Sequence, residues 1–291
     1  MKPAAFRYIR PDSVAETVGV LREHGDGARI LAGGQSLGAM LNMRLATPAI
    51  LVDTLAIADI RRIHSDEATV SIGATVTQAA ALASPLVRER VPLLARALPH
   101  VGHFQTRNRG TVGGSVAHCD PSAEIPLALR VLGGAVVLKG GSGVRQVAAA
   151  DFFRGALTTS RRADEMIVET RWPSGKGRTG VSFQEVAIRE GDFAIAACAC
   201  VLTLAGDDGI ERLQIGYAGV GDRPLLADCA GFAGAPASRI SRADIENLTV
   251  PDLRLRDDLH AGAEYRRHLM KLLGWRAFSE ALQEAGGRIH A

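Results

Sequence analysis

Aromatic residues are scarce in this chain: Phe, Trp and Tyr make up 4% of its 291 residues. Platforms that stack single-stranded nucleic acid are built from such rings, so that class is disfavoured. Charge of one sign is not in excess either. Charged residues are 22% of the chain and the formal net charge is +3, too balanced for the footprint of a nucleic-acid binder. The arginines are scattered, and the pairs Arg61-Arg62 and Arg161-Arg162 read as solvated surface, where charged side chains normally stay. No run of about 18 consecutive apolar residues occurs, so no transmembrane helix is expected. The opening MKPAAFRYIRPDSV lacks the charged-then-apolar order of a signal peptide. Cysteine is limited to Cys119, Cys198, Cys200 and Cys229, with no CxxC spacing. That pattern supports neither a disulfide framework nor the runs that hold iron–sulfur clusters. It fits reduced thiols in a cytoplasmic protein, and any cluster the system uses has to sit on another polypeptide.

What is present is a chain that is 47% hydrophobic, long enough for a core split over two or three subdomains. Ser13 followed by Glu16 predicts a capping box, Val14, Val18 and Leu21 recur at helical spacing, and Gly25 is a stop. Short apolar strands are expected over Ala28 to Ala32 and Ala49 to Thr54, giving a β–α–β-like opening unit with a glycine-rich turn. ATVSIGATVT alternates like a half-buried strand. A helical region follows near Pro85 to Leu98, then an irregular segment from Val101 to Pro126, long enough to suggest function. A helix ending at Gly133 and a strand turning at Gly140-Gly141 come next. Pro, Ser and Gly concentrate in residues 172–180, marking a junction. Beyond it, an antiparallel hairpin is expected around Asp207-Asp208-Gly209, and a helical tail over Asp257 to Ala285. These breaks divide the chain into residues 1–55, 56–175 and 176–291.

Two glycine-rich segments carry the chemistry. In LAGGQSLGAMLNMR, residues 31–44, adjacent glycines permit positive φ and close approach of a ligand. Successive amides in such a turn form an anion nest suited to a pyrophosphate, with Gln35 and Ser36 as further donors. An ordinary strand-to-helix turn accounts for the segment equally well. It is not GxGxxG, so it does not fit a Rossmann fingerprint, and SGKGRT at 174–179 is a loop rather than a phosphate-binding loop. In the second segment, RNRGTVGGSVAHCDPSAEIP, residues 107–126, Gly113-Gly114 between Thr111 and Ser115 offer another set of amides, and Glu124 can accept from ribose hydroxyls. Asp120 and Ser122 fit simple capping as well as ligand contact. The neighbours His118 and Cys119 lack the further ligands a metal requires.

AGGQSL and TVGGS at this separation resemble the two FAD-binding motifs of the flavin subunit of molybdenum hydroxylases, and REGDFAIA, residues 189–196, resembles a third signature. That family includes the medium subunits of carbon monoxide dehydrogenase and nicotine dehydrogenase and the flavin domain of xanthine dehydrogenase. The resemblance covers nearly the whole chain. It implies an α+β protein: a two-subdomain FAD-binding fold of the PCMH type with a C-terminal α/β subdomain of the CO dehydrogenase flavoprotein type. Carried over, Ala32, Gly33, Gly34, Gln35, Ser36 and Leu37 cradle the pyrophosphate from one side, and Thr111, Gly113, Gly114 and Ser115 from the other. Glu124 stands on the ribose side, Val101 and Gly102 lie along the flavin cleft, and Ile167 lines the flavin or adenine pocket. Gln184 falls where some relatives carry a lysine facing the isoalloxazine, and Gly191 where the carbon monoxide branch has a covering aromatic.

The resemblance also implies a division of labour in an oxidoreductase. A large molybdenum-cofactor subunit hydroxylates the substrate, a small subunit carries two [2Fe–2S] clusters, and this chain takes their electrons on FAD and delivers them to an external acceptor. FAD suits the task because it exchanges electrons singly or in pairs. No catalytic acid, base or nucleophile is then required here. A heterotrimer, often doubled to (αβγ)2, is the expected assembly. The alternatives are a stand-alone FAD-dependent oxidoreductase and a binding module that has lost its flavin.

Overall fold

Ser13 starts the first helix as predicted: its hydroxyl accepts from the Glu16 amide at 3.2 Å, and Gly25 caps the other end at φ 50°. Glu16 reaches back to the Asp12 amide rather than to Ser13, so the box is displaced by one residue. A computed structural model describes residues 2–175, 177–206 and 208–286. The opening unit holds β1 (Arg7–Ile9), α1 (Val14–His24), β2 (Ala28–Leu31), α2 (Leu37–Asn42) and β3 (Ile50–Asp53). Strand β1 carries no sequence signal, yet it pairs with β3, completing a parallel sheet of order β1-β3-β2. AGGQSL therefore leaves the carboxyl end of β2, where parallel sheets place their ligands.

The second sheet is antiparallel, β4 (Ile63–Ser65), β5 (Thr69–Gly73), β6 (Ala135–Gly140), β7 (Gly143–Ala148) and, later in the chain, a strand over Met166–Pro173, in the order β4-β5-[Met166–Pro173]-β6-β7. Six helices are inserted between β5 and β6: α3 (Gln78–Ala83), α4 (Pro85–Arg90), α5 (Pro92–Ala97), α6 (Phe104–Arg109), α7 (Val112–His118) and α8 (Glu124–Leu132). Pro92 breaks the expected Pro85-to-Leu98 helix into α4 and α5, since proline fits only the first turn. The segment expected to be irregular, Val101 to Pro126, is mostly helical. Its helices are too short and too rich in glycine to display a period. α8 ends at Gly133, φ 71°, as predicted. A short helix α9 (Ala149–Phe152) and the ribbon β8 (Phe153–Gly155)–β9 (Thr158–Thr159) lead into β10, the Met166–Pro173 strand.

The remainder is an antiparallel sheet β11 (Arg178–Val186), β12 (Ala196–Leu204), β13 (Ile210–Ala218) and β14 (Leu225–Leu226), with α10 (Arg242–Glu246) and α11 (Ala263–Glu284). The expected hairpin is β12–β13; Asp207 of its turn, like Lys176 of the junction, lies outside the described residues. Strand period divides β12 cleanly. Ala197, Ala199 and Val201 join the core shared with the first two sheets, while Ala196, Cys198, Cys200 and Leu202 join the core under α11. Both cysteines are fully buried and act as the small hydrophobes their spacing suggested. Helix α11 presses so close that a Cβ on Gly180 would stand 1.8 Å from the Ala281 carbonyl.

Arg266 of α11 ties these parts together. Only 2% exposed, it donates to the carbonyls of Ile195, Gly219 and Ala261 and to Asp258 Oδ1. Burial raises the Asp258 pKa, but the amides of His260 and Ala261 together with Arg266 outweigh it and hold the carboxyl below its ordinary value. Arg266→Leu leaves those acceptors unsatisfied and should cost about 3 kcal/mol, read as an earlier urea transition. Arg266→Lys recovers only part, because an ammonium cannot reach four acceptors in the guanidinium's fork geometry.

Candidate functional site

A cleft of about 750 Å³ opens between the three sheets. One wall is the loop from Ala32 to Ser36 with Leu37 and Met40 of α2; the other is Gly110, Thr111 and the first turn of α7. Thr111 caps α7, its Oγ1 accepting from the Gly114 amide at 2.9 Å. The second wall is stitched to the end of β5 and the start of α3 by Val112 N–H to Val76 carbonyl (3.0 Å) and Gln78 N–H to Gly110 carbonyl (2.8 Å).

The glycines are needed first for the two walls to meet. A Cβ on Gly33 would lie 2.2 Å from the Arg109 carbonyl oxygen, and one on Gly113 would lie 2.7 Å from the Ala74 backbone. Gly34 has φ +71°, a conformation glycine adopts without penalty. With the backbone held this way, the amides of Gly34, Gln35, Ser36 and Gly113 find no protein acceptor among the described residues. Gly113 is buried while Gly34, Gln35 and Ser36 are partly or fully open to solvent, and all four line the cleft, where successive free amides form a nest suited to an anionic group. Gln35 Nε2 does not join it, bonding instead to the Gly33 carbonyl at 3.0 Å.

All but one of the fifteen residues singled out in the sequence line this cleft: Ala32 to Leu37, Val101, Gly102, Thr111, Gly113, Gly114, Ser115, Glu124 and Ile167. Gln184 does not. Its amide donates to Glu280 of α11 at 2.6 Å and to Ser182 at 3.2 Å, on the face of β11 turned from the cleft. The expectation that it faces a flavin ring is corrected by strand alternation. Gly191 does line the cleft, at φ +83°, and a Cβ there would meet the His103 imidazole at 2.7 Å. The aromatic from this loop is Phe193, which stands at the mouth 71% exposed.

Other lining residues were missed. Arg161, read as solvated, is half-buried and lines the cleft with Arg29; its guanidinium donates to the carbonyls of Arg162 (2.8 Å) and Glu165 (2.7 Å). Arg256 arrives from the C-terminal part, donating to Asp258 at 3.0 Å and to Ser122 at 3.4 Å. Neither carries a local signal, because tertiary folding alone brings them in. Asp120 and Ser122 line the cleft but do not cap α8, whose N-cap is Ala123 with no side-chain bond; Asp120 Oδ1 instead accepts from the Ser122 amide at 2.8 Å in the turn before it. Cys119 points away from His118, to the Gly155 carbonyl. Burial lowers the His118 pKa, with Asp120 opposing and Arg29 adding to the shift. Glu124, 7% exposed, is pushed up to about 7 by burial, with Asp120 adding to the shift.

Residues 4–175 match the family described as "FAD binding domain in molybdopterin dehydrogenase", and residues 181–281 match "CO dehydrogenase flavoprotein C-terminal domain". The chain is 36% identical over 283 residues to the nicotine 6-hydroxylase medium subunit of Paenarthrobacter nicotinovorans, covering 97% of this chain and 99% of that one. It is 34% identical over 284 residues to the caffeine dehydrogenase subunit beta of Pseudomonas sp. (strain CBB1), covering 97% and 96%. Its fold superposes with a TM-score of 0.93 on a chain of the carbon monoxide dehydrogenase from Hydrogenophaga pseudoflava that lacks the Mo-pyranopterin moiety of its molybdenum cofactor. The identity is 32%, and 98% of this chain and 99% of that one are covered.

Two glycines of the first motif should separate under substitution. Gly33→Ala forces the walls apart and is expected to cost about 2 kcal/mol by overpacking. A Cβ on Gly38 meets nothing within 4 Å, so Gly38→Ala should gain about 0.5–1 kcal/mol of helix stability. Thermal midpoints of the two variants check the contrast.

Proposed function

Because this chain belongs to the family of FAD-binding medium subunits of molybdopterin dehydrogenases, we propose that it relays electrons within a three-component oxidoreductase. It receives them from the [2Fe–2S] clusters of a small partner and passes them to an external acceptor, while a large partner holding the molybdenum cofactor performs the hydroxylation. The supporting observation is that unpaired amides from two touching glycine segments line one cleft of about 750 Å³. FAD, when bound, supplies a centre that exchanges electrons singly or in pairs.

The chain's own residues bind, orient and enclose. The amides of Gly34, Gln35, Ser36 and Gly113 would hold the pyrophosphate, with the Thr111 cap on Gly114 and Ser115 fixing the second wall. Nearly all of that recognition comes from backbone dipoles, which are fixed in place and cost no reorganisation. Glu124 accepts from a hydroxyl of the sugar chain. Val101, Gly102 and Ile167 would supply apolar surface for the flavin, and Phe193 a ring at the mouth of the cleft. The proposed subdomains, residues 1–55, 56–175 and 176–291, meet at the cleft, with the third contributing the Ile188-to-Ile195 loop and Arg256. The proposed assembly is a heterotrimer with large and small partners, doubled to (αβγ)2.

Gentle affinity purification of this chain from its native host tests the reading. FAD, iron and molybdenum with two co-purifying polypeptides are expected. A lone chain holding FAD and no metal, turning over a reduced substrate by itself, would instead establish a stand-alone flavoenzyme.

A further inference from the structure

One buried polar side chain in the cleft wall has no partner in the protein. Gln78 is the first residue of α3, and its backbone is fixed to the second wall. Its amide donates to the Gly110 carbonyl at 2.8 Å, and Thr77 beside it forms a bridge with Thr111. The side chain is 5% exposed and lines the cleft. Its Oε1 is shut off from solvent with no hydrogen-bond partner, and Nε2 finds no protein acceptor among the described residues. Of the two ends of the carboxamide only Oε1 is enclosed. Nε2 is therefore the end turned to the open space that the side chain borders, which is the cleft.

An enclosed carboxamide with neither end paired is costly, and nearly all such groups in folded proteins are satisfied. An apolar side chain of similar length would fill the place at less cost, so packing gives no reason for glutamine here, whereas an acceptor on a ligand does. The neighbours fix where that acceptor lies. A Cβ on Gly110 would stand 2.7 Å from Gln78 Oε1 and 3.0 Å from the Thr106 carbonyl, and one on Gly102 would stand 3.1 Å from the Thr106 Cβ. A Cβ on Gly33 would lie 2.7 Å from the Gly110 Cα. Gln78 thus adjoins Gly110, which touches the first glycine loop on one hand and, through Thr106, the Gly102 turn on the other.

We propose that Gln78 is a binding residue for the flavin-bearing half of FAD, its Nε2 donating to an acceptor on the ring or the ribityl chain. The proposal rests on the FAD reading of the cleft, in which the glycine loop meets the pyrophosphate and the Gly102 turn meets the flavin. That half of the dinucleotide is rich in acceptors: the ring nitrogens N1 and N5, the carbonyls at C2 and C4, and the ribityl oxygens. Thr75 and Thr111, buried polar side chains that also line the cleft, are already engaged, with the Ile60 carbonyl at 2.9 Å and the Gly114 amide at 2.9 Å. Gln78 is not. Held by its backbone and enclosed on its flank, the carboxamide loses little freedom when a ligand arrives.

Gln78→Met keeps the length of the side chain and removes both polar ends. The test is the Kd of FAD and of FMN for the full-length, FAD-depleted chain, followed by quenching of flavin fluorescence, with the thermal midpoint of the ligand-free chain measured alongside. FMN carries the flavin-bearing half without the adenosine. Loss of one hydrogen bond should therefore raise both Kd values by the same factor, about fivefold. The ligand-free midpoint should hold or rise by about 2–4 °C, because an unpaired polar group leaves the interior. A glutamine that served only the fold would behave in the opposite way, with a lower midpoint and unchanged affinities.

Kd values that stay within about twofold of wild type, a loss confined to FAD, or a ligand-free midpoint below that of wild type overturns the proposal. A wild-type chain that takes up neither FAD nor FMN overturns the FAD reading of the cleft, and the assignment of Gln78 falls with it. The wild type alone tells the two failures apart.

Discussion

The contact between the Gly33 backbone and the Arg109–Gly110 backbone is the constraint on which the rest of the site depends. It joins a parallel sheet to an antiparallel one at a distance that admits no side chain at all. Beside that contact the amides of Gly34, Gln35, Ser36 and Gly113 are left without protein acceptors, and all four residues line the cleft. The nest is thus a by-product of packing: what makes the walls meet also leaves the donors unpaired. A side chain at Gly33 would therefore act on the fold before it acted on any ligand.

Legibility in the sequence followed the range of the interactions. Local devices were readable: Ser13 as a cap, Gly25 and Gly133 as stops, the two glycine segments, and the shared face of Cys198 and Cys200. The residues adjacent to those glycines line one cleft, because a turn's shape is encoded within it. Failures came where tertiary contact decides. β1 forms only because β3 lies beside it; α6 and α7 are too short to show a period; Arg161 and Arg256 reach the cleft through the folding of distant segments. Gln184 failed for a simpler reason. On a strand, one residue separates opposite faces, and Gln184 falls on the face under α11, with Ser182 and Glu280.

The C-terminal part governs the mouth of the cleft more than its walls. Arg266 holds the Ile195 carbonyl at the end of the Ile188-to-Ile195 loop, and through Asp258 it is linked to Arg256 and so to Ser122 on the cleft's rim. A single buried guanidinium on α11 therefore sets both the loop over the opening and the turn before α8. Tilting α11 would move both together, so access to the cleft and the setting of Glu124 are mechanically one variable. Gly180, with no room for a Cβ beneath that helix, keeps the tilt small.

The burial of every thiol turns the chain into its own chronometer. Cys119 closes α7 in the FAD-binding part; Cys198, Cys200 and Cys229 lie in the C-terminal part. Burial pushes the Cys119 and Cys229 thiols up to about 11 and raises those of Cys198 and Cys200 as well, so alkylating reagents meet almost no thiolate in the closed molecule. Each modification event then counts one local opening. The ratio of counts at Cys119 to counts at the other three measures how often the two halves breathe separately rather than together.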